Sequence, residues 1–490
     1  MGRPVSEADC RFSAPKGVAD LLPPRSALSR AATDYFGQLA PLWGYWPIET
    51  PLFEKTEVFE RSVGGTSEIV TKQMYTFEDK SGDSITLRPE GTAGVVRAFI
   101  EHEIYKKEPL PWRVFYAGEM FRYERPQAGR YRQFKQVGVE AIGAEEPEAD
   151  VEQIELCLTF LEGIGVVSPR LLLNSIGDKA CRPRYLEALD GFLSSNDVSS
   201  KLCQECRLRI GRNPLRVLDC KRAECRRVTE FAPKSVEYLC GPCRVHFDAV
   251  QAGLQALGIE FVLESRLVRG LDYYVRTAFE VISEGLHAAQ DAVAGGGRYD
   301  GLVESLGGPP TGAVGFAIGV ERSLEATRWA NILSIRQPRS GSKAESAASS
   351  GLLTPGYSEQ KGPPRFRIRD SSPDVVVVGV DDSCRTAALA LGSRLRREGI
   401  ATVVSPVGKS LKARMKYADR AGAHITAVIG PEELTSQTVA IRLMGSTEAK
   451  IAKQRTVPSN RAVSEVLAIL RSESSEGDGT VSTSAQREPK

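Results

Sequence analysis

The chain has 490 residues, with 64 basic and 62 acidic side chains and a formal net charge of +2. A chain of this length exceeds what one hydrophobic core supports, so several domains are expected. The balanced charge excludes a nucleic-acid binder that works by bulk charge, and the lack of any run of about 18 apolar residues argues against a membrane-spanning helix. Ten cysteines and no apolar leader predict a reducing, cytoplasmic environment, where thiols stay free or hold a metal ion.

The first part of the chain carries strand and helix signals without a βαβ repeat. Residues 27–43 place apolar side chains at helical spacing, and Pro47 and Pro51 then suit an edge or interface strand. Residues 84–143 predict short strands, a helix near 91–103, and a hairpin that turns at the segment RPQAGR. This order favours an α+β domain with a mostly antiparallel sheet.

The composition changes along the rest of the chain and divides it further. A Cys-rich and Arg-rich stretch of helix formers predicts a helical insertion, and a Ser, Gly, Pro and Lys-rich stretch predicts a linker. Apolar strands then alternate with helices, which is typical of an α/β domain with a largely parallel sheet. The predicted parts are the α+β domain (1–177 and 261–330), the insertion (178–260), the linker (331–372), the α/β domain (373–472) and a disordered tail (473–490).

The predicted hairpin is unusual because polar side chains occupy positions that a buried strand gives to apolar ones. Arg122 and Glu124 are expected on one face, and Phe134, Gln136 and Glu140 share a face of the return strand. Burying these groups is unfavourable unless they meet polar partners, such as a ligand with cationic and anionic ends. Arginine suits a phosphate or carboxylate, and an aromatic ring can stack on a base. The alternative is an ordinary solvated charged hairpin.

Three other segments carry candidate polar residues of the same kind. They are TLRPEGTA at 86–93, RLVRGLDYYVRTAFEV at 266–281, and GAVGFAIGVER at 312–322, where alternating glycines permit close backbone approach. Each motif by itself is also compatible with plain core packing. The candidate side chains in them are Glu90, Thr92, Arg269, Tyr273, Tyr274 and Arg322.

The insertion contains three closely spaced cysteine pairs. Two have the spacing C-x₂-C and the inner one C-x₄-C; they are Cys203 and Cys206, Cys240 and Cys243, and Cys220 and Cys225. Zn²⁺ prefers four such ligands in a closed tetrahedron, which the two outer pairs would supply. The inner pair could instead complete the set with either outer pair, and reduced, buried thiols are a third reading. We expect a structural Zn²⁺ remote from the polar hairpin.

Taken together, the motifs resemble those of the histidyl-tRNA synthetases, a family of class II aminoacyl-tRNA synthetases. FRYERP…GRYRQFKQVGVE resembles the second class II signature and GFAIGVER the third, while LVRGLDYY and TLRPEGT resemble the histidine-specific segments. Helix 27–43 and the strand ending at Pro51 resemble the first, dimer-forming signature. The C-terminal α/β domain resembles the anticodon-binding domain of the family.

The resemblance implies a histidine–tRNA ligase that acts as a homodimer. Such an enzyme uses ATP and Mg²⁺ to convert L-histidine into histidyl-adenylate with release of pyrophosphate. It then transfers the histidine to the 3′ end of tRNA(His), which leaves AMP. The alternative is a catalytically silent paralogue that senses histidine and regulates another enzyme. Retention of Arg122, Arg269 and Arg322 favours the enzyme.

The resemblance also assigns roles to individual residues. Arg122 and Arg269 would be catalytic, at the α-phosphate. The ATP-binding residues would be Arg122, Glu124, Phe134 and Arg322. The histidine-binding residues would be Glu90, Thr92, Arg122, Gln136, Glu140, Arg269, Tyr273 and Tyr274. The candidates for contact with the tRNA acceptor stem are Arg125, Gln127 and Arg130.

Overall fold

This computed structural model describes residues 13–63, 69–126, 129–286, 291–327, 372–408, 410–444 and 454–476. They form two compact units. The first is built from residues before 328, and the second from residues after 371 together with Leu42–Gly44. The predicted linker (331–372) lies outside the described residues, except for residue 372. Among the described residues, no helix combines the length and apolar character that a membrane crossing requires.

The first unit contains a large mixed sheet and a small antiparallel sheet. Its strands are β1 (Trp46–Pro47), β2 (Phe53–Lys55), β3 (Tyr75–Glu78), β4 (Ser84–Leu87), β5 (Trp112–Phe121), β6 (Gln133–Ile142), β7 (Pro169–Ser175), β8 (Phe261–Leu263), β9 (Val275–Ser283), β10 (Ala292–Arg298) and β11 (Ala313–Gly319). Its helices before the insertion are α1 (Arg25–Leu39), α2 (Thr56–Val63), α3 (Thr92–Glu101), α4 (Ile104–Lys107) and α5 (Pro147–Gly163).

The large sheet follows the order β1-β5-β6-β11-β10-β9-β7-β8. The pairs β1–β5 and β7–β8 are parallel, and the other neighbours are antiparallel, which confirms the predicted fold class. In this register Glu140 of β6 lies opposite Val114 of β5 on one side and Gly315 of β11 on the other. The long hairpin therefore forms the middle of the sheet together with the glycine-rich strands.

Helix α1 packs on the chain's own core. Phe36 is fully buried, and its ring lies 5.1 to 6.4 Å from the rings of Phe115, Phe160 and Phe316. One side of this helix, which resembles the dimer-forming signature, therefore packs on the core of its own chain. Helix α5, which supplies Phe160, begins with Pro147 at a position where a missing N–H costs no hydrogen bond.

The insertion is helical, as predicted. Its helices are α6 (Arg182–Ser194), α7 (Asn196–Ser199), α8 (Gln204–Arg209), α9 (Leu215–Leu218), α10 (Ala223–Thr229) and α11 (Gly241–Ala256). Two short helices, α12 (Leu302–Ser305) and α13 (Val320–Glu325), complete the first unit. The insertion core combines aliphatic residues such as Leu189 and Leu218 with Cys206 and Cys225.

The second unit is an α/β domain around a separate sheet. Its strands are β12 (Val375–Gly379), β13 (Thr402–Ser405), β14 (Ile425–Ile429), β15 (Thr438–Leu443) and β16 (Arg455–Pro458), in the order β13-β12-β14-β15-β16. Its helices are α14 (Arg385–Arg397), α15 (Leu411–Arg420), α16 (Pro431–Ser436) and α17 (Ala462–Glu476). The first three strands are parallel, as predicted, and the last two add antiparallel edges. Helix α17 continues to Glu476, so the first residues of the predicted disordered tail are helical.

Candidate active site

A chamber of about 310 Å³ opens beside the middle of the large sheet. It is lined by polar and charged side chains from the hairpin, from α3, from the segment before β9, and from β9 to β11. The predicted site residues that line it are Glu90, Thr92, Arg122, Glu124, Arg130, Phe134, Gln136, Arg269, Tyr273, Tyr274 and Arg322. The structure thus gathers into one space residues that are more than 200 positions apart in the chain.

Glu140 does not itself line the chamber; its side chain is fully buried and hydrogen bonds to Thr92 and Tyr116, which do. Its Oε1 accepts hydrogen bonds from the Thr92 hydroxyl at 2.7 Å and from the Tyr116 hydroxyl at 3.3 Å. Its Oε2 accepts a hydrogen bond from the Tyr299 hydroxyl. We call Thr92, Tyr116, Glu140 and Tyr299 the carboxylate floor. Burial raises the pKa of Glu140 to about 8, although the hydrogen bonds from Tyr299 and Thr92 act in the opposite direction.

Two glycines make room for this floor. A Cβ at Gly315 would collide with the Glu140 carboxylate, and a Cβ at Gly138 would lie 2.6 Å from the Tyr116 ring and from the Phe316 carbonyl oxygen. The alternation of glycine with apolar residues in β11 therefore serves close approach of a charged side chain to the neighbouring backbone.

A second buried carboxylate, Glu90, lies where the chain enters α3. Its two oxygens accept hydrogen bonds from the backbone N–H groups of Thr92 at 2.7 Å and Ala93 at 3.0 Å. Burial raises the pKa of Glu90, while these N–H donors and the charge of Arg122 oppose that rise. The chamber therefore holds a negative site that a ligand ammonium group could contact.

Arginines also line the chamber. Arg269 Nη1 donates to Glu280 Oε2 at 2.7 Å, while Arg269 Nε has no hydrogen-bond partner among the described residues. Burial by itself lowers the pKa of the Arg269 guanidinium, but Glu280, Tyr274 and Tyr273 together raise it above its ordinary value. Gly295 of β10 is required here, since a Cβ at that position would overlap the Arg269 guanidinium.

Arg122 also lines the chamber, but it does not lie on a strand. The prediction that Arg122 and Glu124 share a strand face was wrong, because β5 ends at Phe121. Two residues after the end of β5, Tyr123 donates its N–H to the Gln73 carbonyl oxygen, which draws the chain out of the sheet. Arg122 Nε donates to the Pro89 carbonyl oxygen at 2.8 Å, and its guanidinium carbon lies 5.2 Å from the centre of the Phe134 ring. Burial lowers the pKa of Arg122.

Three other predicted residues line the chamber. Arg322 Nη1 donates to the Ala292 carbonyl oxygen at 2.9 Å, which aims this arginine from α13 toward β10. Gln136 is buried, and its Oε1 has no hydrogen-bond partner among the described residues. Glu124 forms an ion pair with Arg130 across the hairpin loop at 3.2 Å. We call Arg122, Gln136, Arg269 and Arg322 the ligand wall.

Comparison with known proteins agrees with this chemistry. A family model for histidyl-tRNA synthetase matches residues 17–322. The chain belongs to the histidyl-tRNA synthetase family. A second model, for an anticodon-binding domain, matches residues 374–469, which correspond to the second unit. The family predicted from the motifs is therefore confirmed.

Individual members of the family are similar over nearly the whole chain. A histidine–tRNA ligase of Halothermothrix orenii is 44% identical over 435 residues, which are 89% of this chain and 95% of the relative. One from Anaeromyxobacter dehalogenans is 46% identical over 421 residues, 86% of this chain and 92% of the relative. The crystal structure of apo histidyl-tRNA synthetase from S. aureus superposes with a TM-score of 0.54 at 32% identity, covering 93% of this chain and all of that one.

Sequence reasoning missed three residues that hydrogen bond to predicted ones. Tyr116 and Tyr299 donate to Glu140, and Glu280 holds Arg269. Tyr299 lies in the segment AGGGRYDGL, whose glycines were a usable signal of close packing near a site. Tyr116 and Glu280 occupy strand positions that carry no local signal.

The predicted acceptor-stem contacts are only partly described. Arg125 is exposed and does not line the chamber, whereas Arg130 lines it. Gln127 lies outside the described residues.

The cysteines of the insertion gather in two groups. One consists of Cys203, Cys206, Cys220 and Cys225, and the other of Asp178, Cys181, Cys240 and Cys243. The first-choice zinc set, made of the two outer C-x₂-C pairs, is not brought together. The chain returns on itself between the short helices α8 and α10, so the inner pair joins the first outer pair, as in the alternative. Cys240 and Cys243 lie instead at the start of α11, beside Asp178.

The insertion also reaches the chamber, contrary to the expectation that it lies apart from the catalytic hairpin. Asp219 and Lys221, which flank Cys220, line the same space as Arg269. Their side chains form an ion pair at 2.9 Å.

Proposed function

We propose that this chamber joins L-histidine to ATP and that the chain acts as a histidine–tRNA ligase, which forms AMP and pyrophosphate. Family membership supports this activity, and the relatives of 44% and 46% identity carry that name. The observation that carries the assignment to this chamber is its division into a buried carboxylate floor and a wall of arginines. An amino acid and a triphosphate need these two environments side by side.

The ligand wall would bind ATP. Arg122 and Arg322 would contact the phosphates, Phe134 would stack on the adenine, and Glu124 would help to fix the nucleotide. A carboxylate oxygen of histidine would attack the α-phosphorus, and the bond to pyrophosphate would break with its electron pair leaving on that group. Arg269, held by Glu280, would stabilise the negative charge that builds up at the α-phosphate during this step.

The floor and its surroundings would bind histidine. The Glu90 carboxylate and the unpartnered Gln136 Oε1 would accept hydrogen bonds from the ammonium group, with Thr92 beside them. Glu140 and Tyr274 would contact the imidazole, and Tyr273 would pack against it. Tyr273 and Tyr274 are positioned for this, with ring centres 4.7 Å apart and the Tyr273 ring 5.6 Å from that of Tyr299.

Mg²⁺ would accompany the ATP phosphates, and the chamber chemistry fits it. Mg²⁺ prefers oxygen ligands and keeps part of its water shell, and the carboxylates of Glu280 and Asp291 line the chamber. When bound, the ion would neutralise phosphate charge. A structural Zn²⁺ in the insertion is the remaining cofactor of the proposal.

tRNA(His) would be the macromolecular substrate. The second unit matches an anticodon-binding domain model, which supports anticodon contact there. Arg125, Gln127 and Arg130 remain our candidates for contacting the acceptor stem, because two of the three are arginines that can pair with backbone phosphate.

The proposed homodimer rests on exposed apolar side chains near β1 and β2. Trp46 is 49% exposed, Leu52 47% and Phe53 52%. Large apolar groups clustered along one stretch of chain are typical of an interface between subunits. Sedimentation of the purified protein at micromolar concentration would show a stable active monomer if this part of the proposal is wrong.

The decisive assay for the activity is histidine-dependent exchange of labelled pyrophosphate into ATP, followed by charging of tRNA(His). The enzyme is expected to support exchange with histidine and not with glutamine or tyrosine. A silent histidine-sensing paralogue would bind histidine without any exchange, and that result would overturn the proposal.

A further inference from the structure

The four thiols of the first cysteine group converge from separate turns of the insertion. Cys203 precedes α8, Cys206 lies within it, Cys220 follows α9, and Cys225 lies within α10. Their sulfur atoms all lie within 4.8 Å of one another. A tetrahedral zinc ion with Zn–S distances of about 2.3 Å needs sulfur atoms roughly 3.8 Å apart, so little movement would complete the site.

Backbone contacts at this group are those that a metal-bound thiolate needs. The Cys206 N–H points at Cys203 Sγ at 3.4 Å, and the Cys203 N–H points at Cys225 Sγ at 3.2 Å. Donors of this kind stabilise negative charge on sulfur. Cys206 and Cys225 are fully buried, and the described cysteines are all free of disulfide bonds.

The local fold also needs an additional source of stability. Helices α8, α9 and α10 have six, four and seven residues, which is too short for a helix to be stable by itself. A metal ion that joins all three would contribute its binding free energy to their folding. We propose that Cys203, Cys206, Cys220 and Cys225 bind one structural zinc ion.

The second group is a weaker candidate because one of its donors is already engaged. Asp178 Oδ1 accepts hydrogen bonds from the backbone N–H groups of Ala180 at 3.0 Å and Cys181 at 3.3 Å. That is the geometry of a side chain that closes a turn. The proposal is therefore confined to the four-thiol group.

The zinc centre lies directly behind one side of the chamber. Cys220 is flanked by Asp219 and Lys221, both of which line the chamber. In the preceding helix, Arg216 donates to the Gly270 carbonyl oxygen and pairs with Asp272 at 3.5 Å. Gly270 follows Arg269, so the metal centre fixes the turn that buttresses this arginine. This link to catalysis rests on the proposed function.

The test is the zinc content of the purified full-length protein after dialysis against metal-free buffer. Cys206→Ser and Cys225→Ser should each hold about one zinc ion per chain less than the wild type. Cys157→Ser and Cys384→Ser, which alter buried thiols outside both groups, should keep the wild-type content. Equal zinc in the wild type and in Cys206→Ser, including none in both, would overturn the proposal.

A second measurement covers the case in which the serine variants do not fold. Cys206→His keeps a zinc-binding side chain, so it should retain the ion that Cys206→Ser loses. In the cobalt-loaded proteins, the change from four sulfurs to three sulfurs and one nitrogen should shift the tetrahedral thiolate spectrum. A spectrum identical to that of the wild type would count against these ligands.

The link between the zinc site and the chamber is tested by a separate measurement, the rate of histidine-dependent exchange. Zinc loss is expected to reduce histidine-dependent exchange by roughly tenfold, the range typical of residues that orient a site from behind. Cys384→Ser should leave exchange unchanged. Exchange that is indifferent to zinc would overturn the link, whereas zinc content is measured without substrates and does not depend on the proposed activity.

Discussion

The carboxylate floor and the ligand wall both contribute residues to one chamber, but their polar groups are satisfied in different ways. Glu140 in the floor accepts hydrogen bonds from three hydroxyl groups of the chain. In the wall, Gln136 Oε1 and Arg269 Nε have no partner among the described residues. A buried polar group without a partner is unfavourable, by about 1–3 kcal/mol.

This difference indicates how the two sides work. The floor is complete before any ligand arrives, and a rigid polar pocket of this kind rejects ligands that leave its groups unpaired. The wall holds positive charge and unused hydrogen-bonding capacity. Its interactions would become strongest when negative charge develops on a ligand, which is the condition for lowering a reaction barrier.

The largest expected effect is at the wall. Arg269→Ala should reduce the rate of histidine-dependent pyrophosphate exchange by about 10²–10³-fold, because a charge-stabilising donor is lost at the reacting phosphate. Circular dichroism and tRNA affinity should stay close to those of the wild type. Arg266→Ala is the matched control, since Arg266 pairs with Glu264 and does not line the chamber. A near-normal exchange rate for Arg269→Ala would show that Arg269 of the ligand wall does not contribute to catalysis.

A change in the floor should act on one substrate. Glu140→Gln should raise the histidine KM about tenfold or more, because the amide introduces a donor into a site that already holds three hydroxyl donors. The ATP KM should change little. Steady-state exchange with each substrate varied in turn measures both constants. Equal effects on the two substrates would mean that floor and wall are not separate sites.

The smallest effect should appear in the pH dependence. Since burial raises the Glu140 pKa to about 8, its ionised fraction grows as the pH rises through that value, and the histidine KM should fall over the same range. Tyr299→Phe removes a hydrogen bond that lowers this pKa, so the midpoint should move to higher pH. Its KM should rise by less than about tenfold, because the hydroxyls of Thr92 and Tyr116 remain.

Glu140→Gln is the reference for this titration. It keeps every ionisation of free histidine but lacks the Glu140 carboxyl group, so a midpoint that persists near pH 8 in this variant would assign the titration to the substrate. A midpoint in Tyr299→Phe that moves to lower pH would contradict the hydrogen bonding of the floor.

Several features were readable from the sequence because they depend on near neighbours in the chain. Strand alternation placed Gln136 and Glu140 on one face of β6, and both are buried on it. The alternation of apolar strands and helices after residue 372 predicted the parallel part of the second sheet. The end of β5 was not readable, because a contact with Gln73 decides it.

The sequence by itself determined the family, the class of sheet and eleven of the residues that line the chamber. Only the tertiary structure decided what those side chains contact. The hydroxyls that hold Glu140 come from positions 24, 48 and 159 residues away, and the grouping of Cys220 and Cys225 with Cys203 and Cys206 depends on the path of three short helices. Local patterns specify which face a residue occupies, whereas long-range hydrogen bonds and metal ligands depend on which strands and turns become neighbours in the folded chain.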